Sequence, residues 1–493
     1  ILFLHTHSFH HSGFAMAQKG VFVDDNEIQE FVEFCKMPLK KSIRLNTNKM
    51  SSQDFIQTTK TWGYTLTDPG FIKVDNDSFY IDRDNTDLAL GRTFFHQSGF
   101  FYIQEIAASL PAKFFEFNEN DLVLDISSAP GGKTIQIADY LMKVSKKRPG
   151  FVVSNDVNGQ RILATAFNIN RMGTYNTGLT KFNGFAFGTN LPEVFDHALV
   201  DAPCSGEGTG FKSDSALKFW NRKEINKISG TQFQLLVSAI KAVKPGGTII
   251  YSTCTLNPFE NERTISKVIE FFGGDIEIEN VDLNNKSYGL ESHNGEEFFS
   301  ADHAKKLARF WPHKQKTGGF FICKLKKLAS TKSKDKENKL TPKNPFKLEN
   351  SSSFQKKIIN HIEENYGIKI DKSEYHFFGI KDRVYVTSSK FLEIKDYIHF
   401  ERVGVPIFKN VSEGGLKPLH YFAVIFGNKV TKNYITFDTD TTQKYASLED
   451  VDLKLAIENV TTPKSKYIVI KWNGYGISVG KIINETVKNK YLR

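Results

Sequence analysis

From Asp121 onward, short apolar runs alternate with stretches of helical periodicity, and no other feature limits the possible folds as tightly. Residues 122–126, 151–154, 197–200 and 248–252 are too short for helices, and several are rich in β-branched side chains. That is the composition of strands buried on both faces. Between them, residues 134–142, 159–171, 230–243 and 257–272 carry helical patterns. Such alternation predicts a parallel sheet with helices on both faces. A later apolar run, residues 319–325, is expected to close it as the final strand.

The first strand leads through Ser127-Ser-Ala-Pro-Gly-Gly-Lys-Thr134 into a helix. Glycines there let the backbone approach a ligand, and a helix N-terminus presents free N–H groups. A phosphate-binding P-loop needs Gly six positions before its Lys, where this chain has Ser127, so that reading is excluded. The next strand ends at Asp156. In doubly wound folds an acid at that place accepts hydrogen bonds from ribose hydroxyls.

Two cysteines stand just past later strand ends: Cys204 in Asp201-Ala-Pro-Cys-Ser-Gly-Glu-Gly208, and Cys254 in Tyr251-Ser-Thr-Cys-Thr-Leu-Asn-Pro258. Strand carboxyl ends of a parallel sheet share one crevice, so both thiols are expected beside the cofactor. Carbon 5 of cytosine is too weak a nucleophile to take a methyl group unaided. A thiolate that adds to carbon 6 makes carbon 5 enamine-like, and cysteine suits such covalent addition. Asp201, if protonated or hydrogen-bonded to the base edge, is placed to contact ring nitrogen 3. Amino-group methyltransferases commonly carry Asn or Asp, then Pro-Pro and an aromatic, where Asp201 to Cys204 lies. Here the second Pro is absent and a thiol replaces the aromatic, which favours carbon over nitrogen as acceptor. Cys35 and Cys323 are expected to be inert buried thiols.

Ala129-Pro-Gly-Gly-Lys-Thr134, Asp201-Ala-Pro-Cys-Ser-Gly-Glu-Gly208 and Ser252-Thr-Cys-Thr-Leu-Asn-Pro-Phe-Glu-Asn-Glu262 together resemble the RNA 5-methylcytosine methyltransferases. That family takes in the Nol/Nop/Sun proteins and the bacterial 16S rRNA (cytosine-C5) methyltransferases. Similarity to the bacterial branch continues through Ser42-Ile-Arg-Leu-Asn-Thr47, Phe101-Tyr-Ile-Gln-Glu105, Leu179-Thr-Lys-Phe-Asn-Gly184 and the tail from Gly476 to Tyr491. The resemblance implies a Rossmann-like α/β core with S-adenosyl-L-methionine as cofactor. It implies Cys254 as nucleophile, Cys204 in product release, and cofactor contacts from Ser128, Ala129, Pro130, Gly131, Gly132, Lys133, Thr134, Asp156, Asn183 and Asp201. The family usually has Asp where this chain has Asn183, near the adenine; an amide can still accept through its oxygen. The implied partner is 16S rRNA or the small ribosomal subunit, with the target cytosine in the decoding region. The same chemistry on tRNA or another rRNA site stays open, as does an inactive RNA-binding assembly factor.

The division expected along the chain runs as follows. A non-native extension covers residues 1–15, before a start at Met16, and an α/β RNA-binding module covers 16–115. The methyltransferase domain spans 116–327, a Lys- and Ser-rich linker 328–353, and a connecting region 354–400. A β-rich PUA-like RNA-binding domain takes 401–493, with strands expected at 421–426 and 467–472. The net charge of +10 suits a polyanionic partner, and the basic stretch around Lys40, Lys41 and Arg44, with the C-terminal module, is expected to hold the flanking RNA, with no individual contact assigned. No apolar run is long enough to span a membrane, the cysteine spacing offers no metal site, and a cytoplasmic location is expected.

Overall fold

A short strand followed by an amphipathic helix can pair in parallel with the next strand only if the helix crosses back over a sheet face. The computed structural model, which describes residues 24–72, 76–209, 222–332, 348–411, 415–461 and 466–489, follows this rule through its middle third. Before it come α1 (Asp25–Cys35), β1 (Ser42–Leu45), α2 (Ser52–Lys60), β2 (Tyr64–Thr67), β3 (Ser78–Arg83) and β4 (Phe101–Ile103), with an antiparallel sheet ordered β2-β3-β1-β4. Residues 1–23, including the expected extension and the start at Met16, lie outside the described residues.

The middle of the chain supplies β5 (Leu122–Asp125), α3 (Gly132–Val144), β6 (Phe151–Asn155), α4 (Gly159–Met172), β7 (Thr177–Thr180) and β8 (Phe195–Asp201). It continues with α5 (Arg222–Ala242), β9 (Val243–Thr253), α6 (Glu262–Phe272), β10 (Ile276–Glu279) and β11 (Phe320–Lys327). Strands β9-β8-β5-β6-β7 lie side by side and parallel. Strand β11 does not extend this set. It runs antiparallel between β9 and β10, with Phe321 opposite Thr253, so β10 forms that edge.

Then follow α7 (Ser352–Tyr366), β12 (His376–Ile380), β13 (Arg383–Thr387), β14 (Arg402–Val403), β15 (Val405–Asn410), β16 (Leu416–Pro418) and α8 (His420–Phe426), and a six-stranded sheet over residues 434–489. Three expectations fail here. The boundary at residue 401 cuts one antiparallel sheet, β12-β13-β15-β16, because Phe377 and Val384 share a core with Val405 and Ile407. Residues 421–426 form helix α8, not a strand. Phe422 and Phe426 pack on Tyr366 and Tyr375 at centroid distances of 4.6 and 5.0 Å, and tertiary packing decides a short apolar run that periodicity leaves ambiguous. The linker expected over 328–353 ends early, since α7 already begins at Ser352 and is capped by Ser351; its residues 333–347 lie outside the described ones.

The outer parts are welded to the core by buried polar groups. Arg44, part of the basic stretch expected to hold RNA, is fully buried and donates to Asp139 at 3.0 Å, Gln104 at 3.2 Å and the Gly132 carbonyl at 3.4 Å. A buried guanidinium persists only when paired in this way; Lys40 and Lys41 stay exposed. Asn46 donates to the carbonyls of Gly99 (2.9 Å) and Met172 (3.1 Å), joining the first sheet to α4. Lys49 donates to the carbonyls of Ser98 at 2.6 Å and Gly476 at 2.8 Å, joining it to the last sheet. Trp472 completes the junction against Trp62 and Phe94, each at 5.2 Å.

Burial lowers the Lys49 pKa to about 7, with the buried His420 and the cation of Arg171 close to the same junction. Between pH 7 and the ordinary lysine value the unfolded chain binds the extra proton, so stability rises with pH across that window; below it both states are protonated and the term is constant. The stability of the native chain relative to Lys49→Met is therefore expected to improve from pH 7 to 9, by at most about 1.4 kcal/mol per pH unit. Urea unfolding at several pH values measures the difference, and a flat profile would contradict it.

Candidate active site

Strands β5 and β8 are neighbours whose onward connections leave toward opposite edges of the sheet, which opens a crevice outside their carboxyl ends. The candidate cofactor and catalytic residues gather at that end, on the loops and at the element ends around it. Residues 128–134 follow β5, Asp156 follows β6, Asn183 follows β7, Asp201 and Cys204 end and follow β8, and Cys254 follows β9.

On the β5 side, Gly131 precedes α3 with φ 99° and no side-chain cap, whereas α1, α2 and α7 are capped by Asp24, Ser51 and Ser351. A Cβ at Gly131 would be strained by that φ and would come within 2.9 Å of Thr165. The first amides of α3 have no carbonyl four residues back to bond, so they remain available to an anionic or carbonyl ligand. The Thr134 side chain points inward. It is buried and donates to Asp125 at 2.6 Å, and burial pushes the Asp125 pKa up to about 7.

Asp156 is buried, accepts the Asn158 amide at 2.8 Å and pairs with Arg161 at 3.2 Å. Arg161 also donates to the Ala129 carbonyl at 2.7 Å, tying the acid to the Gly-rich turn. Asn155, unremarked in the sequence, is the hub: its amide donates to the carbonyls of Ile126 (3.1 Å) and Phe182 (3.0 Å), and its oxygen accepts from Thr180 and the Phe182 amide, both at 2.9 Å. Asn183 lies on the same rim, exposed, with its oxygen accepting the Phe185 amide at 3.1 Å. The donor set suits S-adenosylmethionine. Uncapped helix amides match its carboxylate, and an anchored carboxylate beyond the second strand matches its ribose hydroxyls.

On the β8–β9 side the sulfurs of Cys204 and Cys254 lie 3.2 Å apart. The bond to Cys254, with burial and the Cys254 charge, raises the Cys204 pKa well above the ordinary thiol value. Cys204 therefore keeps its proton and can direct it at the Cys254 sulfur. Asp201 accepts from Lys133 at 2.7 Å and from Ser252 at 2.8 Å. Burial alone would lower the Lys133 pKa, but Asp201, with a contribution from Cys254, outweighs it and raises the value. The Lys133 ammonium is thus held charged beside Asp201. Cys35 and Cys323 are buried; burial pushes Cys35 up to about 12 and raises Cys323 further, as inert thiols should be.

The two cysteine loops are strapped together by residues whose role was not evident in the sequence. Glu260 is fully buried; its carboxylate accepts the Ser205 amide at 2.9 Å, Gln232 at 2.9 Å and the Thr255 hydroxyl at 3.3 Å. Asn261 accepts from Thr253 at 2.6 Å and donates to the Thr255 carbonyl at 3.1 Å. Glu262 takes a two-pronged pair from the buried Arg309, which also holds the Leu256 carbonyl at 2.9 Å. Helix α6 consequently starts at Glu262 and not at residue 257. The run Glu260-Asn-Glu262 was the available signal, since three consecutive polar residues exceed what a helix cap needs.

Residues 112–326 match the family model described as 16S rRNA methyltransferase RsmB/F, and residues 13–106 match the N-terminal domain of 16S rRNA methyltransferase RsmF. Ribosomal RNA small subunit methyltransferase F of Vibrio parahaemolyticus is 32% identical over 467 residues, covering 94% of this chain and 92% of that one. Its namesake in Aeromonas salmonicida is 30% identical over 474 residues, covering 94% and 93%. Among solved structures, a methyltransferase homolog protein from Pyrococcus horikoshii aligns with a TM-score of 0.53 and 29% identity over 62% of this chain and 91% of that one. NSun6 of the same organism shares the fold, with a TM-score of 0.51 and 21% identity over 65% and 98%.

Glu260→Ala leaves the Ser205 amide without its acceptor, which is expected to cost about 1–3 kcal/mol in urea unfolding. It should also raise the pH midpoint for alkylation of Cys254 by iodoacetamide, because Cys204 is no longer held against it. Mass spectrometry of labelled peptides reads the midpoint; an unchanged value would mean that the strap does not set the cysteine pair.

Proposed function

Since the chain belongs to the 16S rRNA methyltransferase RsmB/F family, we propose that it methylates carbon 5 of one cytosine of 16S rRNA, in the decoding region, through a covalent bond from Cys254. It is an S-adenosylmethionine-dependent rRNA methyltransferase. The observation that carries the covalent step is the pair of sulfurs at 3.2 Å on the crevice side of β8 and β9.

In this reading the Cys254 thiolate adds to carbon 6 of the flipped cytosine, and the ring electrons shift toward carbon 5. Lys133, positioned by Asp201, faces the base edge and stabilises the charge that builds on the ring at nitrogen 3. S-adenosylmethionine, when bound, supplies an electrophilic methyl group for carbon 5. The carbon 5 proton then leaves to a base, the carbon 6–sulfur bond breaks, and the ring regains its double bond. Cys204, which keeps its proton beside that sulfur, donates it to the Cys254 sulfur as the carbon 6–sulfur bond breaks and so assists release. Residues 128–132, the main-chain amides of Lys133 and Thr134, Asp156 and Asn183 are assigned to the cofactor; the Thr134 side chain acts behind them through Asp125. The β-rich C-terminal part, PUA-like in role, is assigned to holding the RNA. Such a substrate implies work in the cytoplasm.

Cys204→Ala protein incubated with 16S rRNA and cofactor should accumulate a covalent protein–RNA adduct visible as a shifted band on denaturing gels. Cys254→Ala protein should form none and transfer no methyl group. Adduct with neither variant, together with no methyl incorporation by the native chain, would remove the covalent mechanism.

A further inference from the structure

Where the C-terminal part meets the core, strand β14 extends the sheet past β7, with Arg402 opposite Leu179 and the amide of Gly404 bonded to the Thr177 carbonyl at 2.9 Å. This pairing forms one wall of a groove of about 490 Å³ that runs between α4 and the β12–β13 hairpin. Four exposed cations line it: Lys181 from the loop after β7, Lys381 and Arg383 from the hairpin, and Arg402 from β14. Among the described residues none of these four has an ion pair. Of the acids that share the lining, Asp382 pairs with Lys409 at 3.3 Å with Arg383 also close, and Glu401 lies 3.8 Å from His399. Between the cations the groove presents apolar and aromatic surface, including Leu163, which is 47% exposed, and Tyr385, stacked on Phe378 at 5.4 Å.

Cations spaced along a groove with apolar and aromatic surface between them are what a single-stranded nucleic acid needs: phosphates meet the charges and bases lie on the flat faces. The groove also points to the right place. It includes Gly159, the first residue of α4, three residues beyond Asp156, and Lys181, so it opens at the cofactor end of the crevice. We infer that this groove holds the single-stranded RNA flanking the target cytosine, with Lys381, Arg383 and Arg402 on its phosphates. The inference rests on the reading of the chain as an RNA methyltransferase, and it assigns substrate contacts to a seam between two parts of the chain. The seam is preformed, because β14 is bonded into the core sheet.

Binding of a short fluorescein-labelled single-stranded RNA, followed by anisotropy at several salt concentrations, tests it without any chemistry. The triple variant Lys381→Ala, Arg383→Ala, Arg402→Ala should bind roughly tenfold or more weakly, and the slope of log affinity against log salt should fall by about 2. The charge-preserving triple Lys381→Arg, Arg383→Lys, Arg402→Lys should stay near the native protein. An alanine triple that binds like the native chain would overturn the inference and leave the groove to a protein partner. So would equal losses in both triples, which would trace the effect to the fold. Methyl transfer is read separately: a native chain that binds this RNA through the groove yet methylates no rRNA would sink the enzymatic reading and leave the groove standing.

Discussion

The placement of β5 beside β8 is the constraint on which the rest of this structure depends. Their connections run toward opposite edges of the sheet, so neither covers the carboxyl ends between them. The candidate site residues are delivered to that opening by short loops and by the ends of the elements beside them. A loop so short inherits its direction from the strand before it, which is how residues distant in sequence, such as Lys133 and Asp201, come to lie 2.7 Å apart.

Direction alone does not hold two sulfurs at bonding distance, and the chain uses buried polar groups for that purpose. Asn155 fixes the loops on the cofactor side; Glu260, Asn261 and the Glu262–Arg309 pair fix those on the cysteine side. Burying a carboxylate is unfavourable unless its lone pairs are filled, and Glu260 fills its own with donors from three separate segments. The same bonds that offset its desolvation therefore locate Ser205 and Thr255, the residues that follow each cysteine. A hydrophobic side chain there could fill the space but could not impose that geometry.

The outer modules are joined to the core by a different device. Arg44, Asn46 and Lys49 reach from the first sheet into α3, α4 and the last sheet, and most of their bonds go to main-chain carbonyls. Main-chain partners demand correct placement of whole segments, not only of side chains. The N-terminal and C-terminal parts consequently share one aromatic core around Trp472, and together they pack against the catalytic sheet. The edge strand β14 belongs to this arrangement, and the basic groove exists because it is there.

The strand order along the chain, the Gly-rich turn, Asp156 and the two crevice cysteines could be read in the amino-acid sequence, because each is written locally in periodicity or in a few adjacent residues. Other features could not. That residues 421–426 coil into a helix, that one sheet spans residue 401, that β11 inserts antiparallel inside the sheet, and that Arg44 faces inward all depend on partners far along the chain. The same holds for Thr134, whose side chain is buried against Asp125, and for Glu260, whose importance lies in joining two loops. Local sequence sets which residues carry the chemistry, since side-chain identity and strand or helix period are short-range properties. Tertiary structure decided which of them touch, since hydrogen bonds and ion pairs act only over a few ångströms and only folding closes the distance.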